Sequence, residues 1–184
     1  MATVFINEFH YDNTGTDEGE FIEIAGPAGT DLTGWQIVLY NGNGGAPYGT
    51  LEALSGTIPD QGNGFGTVVV TYPSNGIQNG SPDGIALVDG SGAVVQFLSY
   101  EGTITAVGGP ADGLVSTDIG VEEGSTTPVG ASLQLTGTGS VSEDFTWSAT
   151  TANTSGTINT DQTFAAPDNH GVDLSTYVRI GRYN

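Results

Sequence analysis

The sequence predicts an all-β fold, a sandwich of about 8–10 short strands. Three observations carry that expectation. Apolar, β-branched and aromatic residues fall in clusters of roughly four to eight, the length of strands. The 184 residues include 30 glycines, which punctuate those clusters, well above the ordinary share of about 7%. No window joins a 3.6-residue amphipathic period to helix-forming residues.

Residues 3–9, TVFINEF, read as the first strand and 20–24, EFIEI, as the second; both set carboxylates among large apolar side chains. Residues 10–19 between them are too rich in oxygen donors and glycine for a core and read as a loop. The third strand follows Trp35, with Trp35, Ile37 and Leu39 on one face and Gln36, Val38 and Tyr40 on the other. Asn41-Gly42-Asn43-Gly44-Gly45 ends it, because these residues tolerate positive φ and break pairing. Residues 51–58 make a weak, short strand or a loop element, and 59–64 a loop. FGTVVVTY, 65–72, is apolar enough for a central strand.

The clearest hairpin pairs 83–88 with 93–100 across Asp89-Gly90-Ser91-Gly92. From 102 to 130 only Leu114-Val115 and Ile119-Gly120-Val121 stand out. SLQL, 132–135, alternates as a strand, 145–147 is a short one, and 150–163 reads as polar coil. These elements make one domain over 1–164. Residues 165–184 form a tail of different composition: a linker, the start of a following module, or an extra edge strand, given the alternation over 177–182.

Charge is strongly one-sided. There are 21 acids, no lysine and two arginines, Arg179 and Arg182, for a net charge of −19. Binding to nucleic acid needs lysine and arginine to displace counterions, so that class is excluded for this domain. An anionic membrane surface is excluded on the same ground, and no apolar run approaches the roughly 18 residues of a membrane span. Cysteine is absent, which removes disulfides and thiolate metal sites. A Cys-free, Gly/Thr/Ser-rich chain fits an extracellular or cell-surface location, although the N-terminus shows no basic and apolar leader.

Catalysis is not expected. There is no G-x-S-x-G elbow, and the two histidines, His10 and His170, lie far apart in polar loops. Two histidines without cysteine make a poor zinc site. Calcium fits better, since it takes six to eight hard oxygens, and Asp12, Asn13, Asp17, Glu18 and Glu20 fall within nine residues. Strand parity puts Glu8 on the face of Val4 and Ile6, and Glu20 on that of Ile22 and Ile24. On inward faces those carboxylates need a cation or backbone N–H groups, because a bare buried anion is costly. The candidate calcium ligands are therefore Glu8, Asp12, Asp17, Glu18 and Glu20. Asp60, Asp83 and Asp89 are secondary, since Asx-Gly turns explain them without metal.

Two other uses of the chain are legible. Tyr40, Tyr48, Tyr72, Tyr100 or Trp147, if exposed, would offer a face for stacking sugar rings. The tail could add a strand to the open edge of a neighbouring copy and build a filament.

Ile6-Asn7-Glu8, then Glu20-Phe21-Ile22-Glu23-Ile24, then Asp31-Leu32-Thr33-Gly34-Trp35 form an ordered set of motifs. In these the chain resembles the lamin-tail domain family, bacterial extracellular type, and the similarity continues through 83–100, 132–135, Trp147 and 154–159. The resemblance implies an immunoglobulin-like β-sandwich that is not itself catalytic. It further implies a binding or structural module of a secreted or cell-surface bacterial protein, often attached to a nuclease, phosphatase or phytase-like module. The nuclear members are more basic, so their DNA or chromatin binding is not carried over to this acidic chain.

Overall fold

Eleven strands and one 3-10 turn, Ser142–Asp144, form in the computed structural model, which describes residues 3–165. The strands divide between two sheets. In the first, β10 (Phe145–Ala152), β9 (Ala131–Gly139), β1 (Phe5–His10), β2 (Phe21–Pro27) and β5 (Phe65–Thr71) lie side by side. β11 (Gln162–Phe164) joins β9 in parallel, beyond the stretch that β1 occupies. In the second the order is β4 (Pro47–Ala53), β3 (Gln36–Asn41), β6 (Asp83–Val88), β7 (Val94–Tyr100) and β8 (Thr117–Asp118). The expected all-β sandwich is what forms, and the β6–β7 hairpin lies where the Asp-Gly-Ser-Gly loop placed it.

The central core lies between the sheets, where Ile6, Phe9 and Ile24 of the first meet Ile37, Leu39 and Leu87 of the second. Each fully buried side chain of this size contributes about 1.5–3 kcal/mol. The alternation of β3 divides as read. Ile37 and Leu39 enter the central core, while Val38 and Tyr40 turn outward into a second cluster with Phe97, Ile104 and Ala111. That outer cluster exists because residues 102–116 fold back over the second sheet. The outer face of the first sheet is covered likewise, by residues 153–159. A third cluster, with Phe5, Phe65, Phe145 and Phe164, closes the end of the first sheet where β1 begins.

Several expectations are corrected. The weak strand or loop element expected at 51–58 is a strand over Pro47–Ala53 instead, where it pairs with β3. β5 is not central but ends the first sheet, and its Val68, Val69 and Val70 are only half-buried. The two- and three-residue strands β8 and β11 were not foreseen, and β10 extends to Ala152 into the stretch read as coil. Pairing against an existing strand, not local propensity, makes these short segments extended. The alternation over 177–182 lies outside the described residues.

The most consequential difference is in β1. Its register against β2 shifts between Ile6 and Glu8, which makes Asn7 the extra residue of a β-bulge. Phe9 thereby rejoins Ile6 in the central core, and Glu8 turns to the opposite face, towards Ser132 and Thr154. Strand parity had placed Glu8 with Val4 and Ile6; one inserted residue reverses it. The backbone N–H of Ile6 at the bulge donates to Gln96 Oε1 at 2.8 Å, so β7 supplies the acceptor.

Candidate functional site: the acidic loop end

β1 ends at His10 and the chain loops through residues 11–20 before β2, at the opposite end of the sheet from the phenylalanine cluster. Glu123, from the irregular segment before β9, anchors this loop. Its Oε2 accepts the backbone N–H groups of Tyr11 at 2.6 Å and Asp12 at 3.0 Å. Its Oε1 lies 2.9 Å from His10 Nδ1, with both side chains buried. The other ring nitrogen of His10 faces Asn13 Oδ1 at 3.1 Å, an oxygen that also accepts the N–H of Glu18. With acceptors at both nitrogens, the imidazolium satisfies both contacts. Burial alone would lower the His10 pKa, but the hydrogen bond and charge of Glu123 hold it above the usual 6.5.

Other carboxylates act on backbone N–H groups in the same way. Glu20 accepts from Gly76 at 2.7 Å and Ile77 at 3.0 Å, tying loop 73–80 to the start of β2. Asp83 accepts from Gly42 and Gly80, each at 2.9 Å. Under the first sheet's cover, Glu8 receives Ser132 Oγ at 2.6 Å and both the N–H and hydroxyl of Thr154 at 2.8 Å. Glu23 receives Asn7 Nδ2 at 3.0 Å and the N–H of Gly156 at 2.7 Å. Where the carboxylate is ionised, charge-assisted hydrogen bonds of this kind contribute about 1.5–3 kcal/mol each.

The five candidate calcium ligands therefore separate. Asp12 and Asp17 are neighbours in the loop: burial first, and then the charge of Asp17, raise the pKa of Asp12. Asp17 itself accepts the N–H of Asn13 and the amide of Asn79, each at 3.2 Å. Glu20 is near enough to feel the charge of Asp17, but burial is the main cause of its raised pKa and its oxygens hold loop 73–80. Glu18 points to solvent, and Glu8 lies under the Thr154 turn. Among the described residues no three His, Asp or Glu side chains converge on one metal position. A calcium ion at Asp12 and Asp17 would draw its other oxygens from loop carbonyls and water.

Glu101 and Glu123 belong to this end of the sandwich and were missed from sequence. Glu101 accepts the Tyr11 hydroxyl at 2.9 Å, and burial with nearby acids raises its pKa. The available signal was Glu122-Glu123 directly before a Gly-Ser-Thr-Thr turn, inside a stretch that otherwise looked featureless. Asp60 and Asp89 cap their own loops, through Gly62 and Gly64 and through Ser91 and Ala93.

The aromatic candidates are turned to packing. Tyr40 and Tyr100 are buried, and Tyr48, Tyr72 and Trp147 are half-buried against the central core. Trp147 also lines a groove of about 470 Å³ with Phe97, Leu98, Leu135 and Phe145. No family model matches the chain, and no curated protein or solved structure matches it either.

Proposed function

We propose that the chain is a non-catalytic binding or structural module of an extracellular or cell-surface protein, steadied by calcium at Asp12 and Asp17. The observation that carries this reading is the acidic loop end itself. Asp12, Asp17, Glu20, Glu101 and Glu123 gather there around His10, the single basic side chain at this end among the described residues, and both nitrogens of that ring already face partners. Neither arginine of the chain lies among the described residues. The buried carboxylates hold loops in place, the work of a scaffold. Asp12 and Asp17, next to each other at the rim, are where a hard cation would relieve the most repulsion. Calorimetry with added calcium and after thorough chelation tests it: a rise in melting temperature with calcium is expected, and an unchanged one sinks the calcium claim.

A second reading, a subunit that exchanges strands with its neighbours, is favoured by β5. This strand ends the first sheet with Thr67, Val68, Val69, Val70 and Thr71, an uncharged β-branched run whose outer edge could accept an added strand. Light scattering against concentration tests it: growth that vanishes on deleting 172–184 supports it, and a constant monomer discards it.

A further inference from the structure

Asn-Gly steps recur at Asn41-Gly42, Asn43-Gly44, Asn63-Gly64, Asn75-Gly76 and Asn79-Gly80. Such a step is chemically fragile in a free chain, because glycine has no side chain to hinder its own backbone nitrogen. That nitrogen loses its proton to base and attacks the asparagine Cγ. The N–Cγ bond forms, the side-chain nitrogen leaves as ammonia, and a succinimide results. Water then opens the ring to aspartate or isoaspartate. An acceptor that fixes the glycine N–H opposes the reaction twice over: it holds the peptide in place and keeps the proton on. A carboxylate does so most strongly, since its charge disfavours a second anion beside it, and it is far too weak a base to deprotonate an amide.

Four of the five glycine N–H groups are held by carboxylates in this structure. Gly42 and Gly80 donate to the two oxygens of Asp83, each at 2.9 Å. Gly76 donates to Glu20 Oε2 at 2.7 Å, and Gly64 reaches Asp60 Oδ1 at 3.3 Å. Gly44 differs. Among the described residues its N–H meets only the carbonyl of Gly42 at 3.0 Å, two residues back in the same turn, and Asn43 and Gly44 are both exposed.

We propose that Asp83, Glu20 and Asp60 guard Asn41, Asn79, Asn75 and Asn63 against succinimide formation, and that Asn43 is the chain's site of spontaneous deamidation. The guard reaches across the fold: Asp83 on β6 protects the turn after β3 as well as the loop before its own strand. It is independent of calcium, and gives Asp60 and Asp83 a role that needs no metal.

The test is prolonged incubation of the folded chain at mildly alkaline pH, followed by peptide mass mapping and isoaspartate detection. Asn43 is expected to convert first, with the other four lagging in the folded protein and all five converting once denaturant unfolds it. Asp60 is exposed, so Asp60→Ala should keep the fold; in it Asn63 is expected to convert about tenfold faster, with Asn75 and Asn79 unchanged. Asp83→Asn, checked for folding by circular dichroism, should release Asn41 and Asn79 together. An unchanged Asn63 rate in folded Asp60→Ala, or an Asn43 no faster than the guarded four, overturns the proposal.

Discussion

Glu8 and Glu23 face each other across β1 and β2, both out of contact with water, and between them grip one turn, at Thr154 and Gly156. Burial, reinforced by the charge of Glu8, pushes the Glu23 pKa from 4.5 up to about 8. Between those values the folded chain keeps a proton that the unfolded chain has released. The stability tied to it is complete below about pH 4.5 and is lost as pH climbs towards 8. The melting temperature should therefore be higher in mild acid than at pH 8, the reverse of ordinary acid denaturation. Glu23→Gln keeps a neutral side chain at all pH and should flatten that decline by several degrees. Parallel curves for the two proteins would contradict this.

The His10–Glu123 pair adds to the same trend. With the His10 pKa raised, its contribution is full below 6.5 and lost as pH passes through the raised value. Glu123→Gln should cost about 2–4 kcal/mol, because it weakens acceptors for two backbone N–H groups and leaves a buried ring without its counter-charge. Faster amide exchange at Tyr11 and Asp12 and a lower His10 titration point by NMR are the expected signatures.

Asp12→Asn separates repulsion from metal binding. In chelator it should raise the melting temperature, because one member of the buried Asp12–Asp17 pair loses its charge. With calcium it should lose the increment shown by the parent, which at a hundredfold excess over Kd is about 2.7 kcal/mol. A calcium increment that survives in Asp12→Asn and Asp17→Asn alike moves the ion elsewhere.

Gln96→Leu tests the bulge. The change keeps most of the side chain's volume but removes the acceptor for the Ile6 N–H. Leaving that donor unsatisfied should cost about 1–3 kcal/mol, read as a lower urea midpoint. Gln96→Glu, which keeps an acceptor, should lose less in mild acid than at neutral pH.

Strands with a strong local pattern were legible in the sequence: β2, β3, and the β6–β7 hairpin fall where alternation and turn residues put them. β8 and β11 were not, because two or three residues carry no period and become extended only by pairing with β7 and β9. The Asn7 bulge was invisible for a different reason. TVFINEF alternates cleanly in either register, and the choice depends on Glu8 finding Ser132 and Thr154, 124 and 146 residues away. At the candidate site, the acid-rich loop announced itself, but its chief anchor, Glu123, acts on His10 from 113 residues away. What the sequence could show was an excess of acid without lysine; which acids are buried, and which backbone N–H groups answer them, is a property of the assembled loops.

The phenylalanine cluster fixes where the described chain enters and leaves. Phe5 opens β1 and Phe164 closes β11, and their rings sit 6.3 Å apart. A fold whose two ends emerge side by side can hang from another polypeptide like a pendant, without prying its host apart. The carboxylate-rich loops at the far end of β1 would then be the surface held farthest from that attachment.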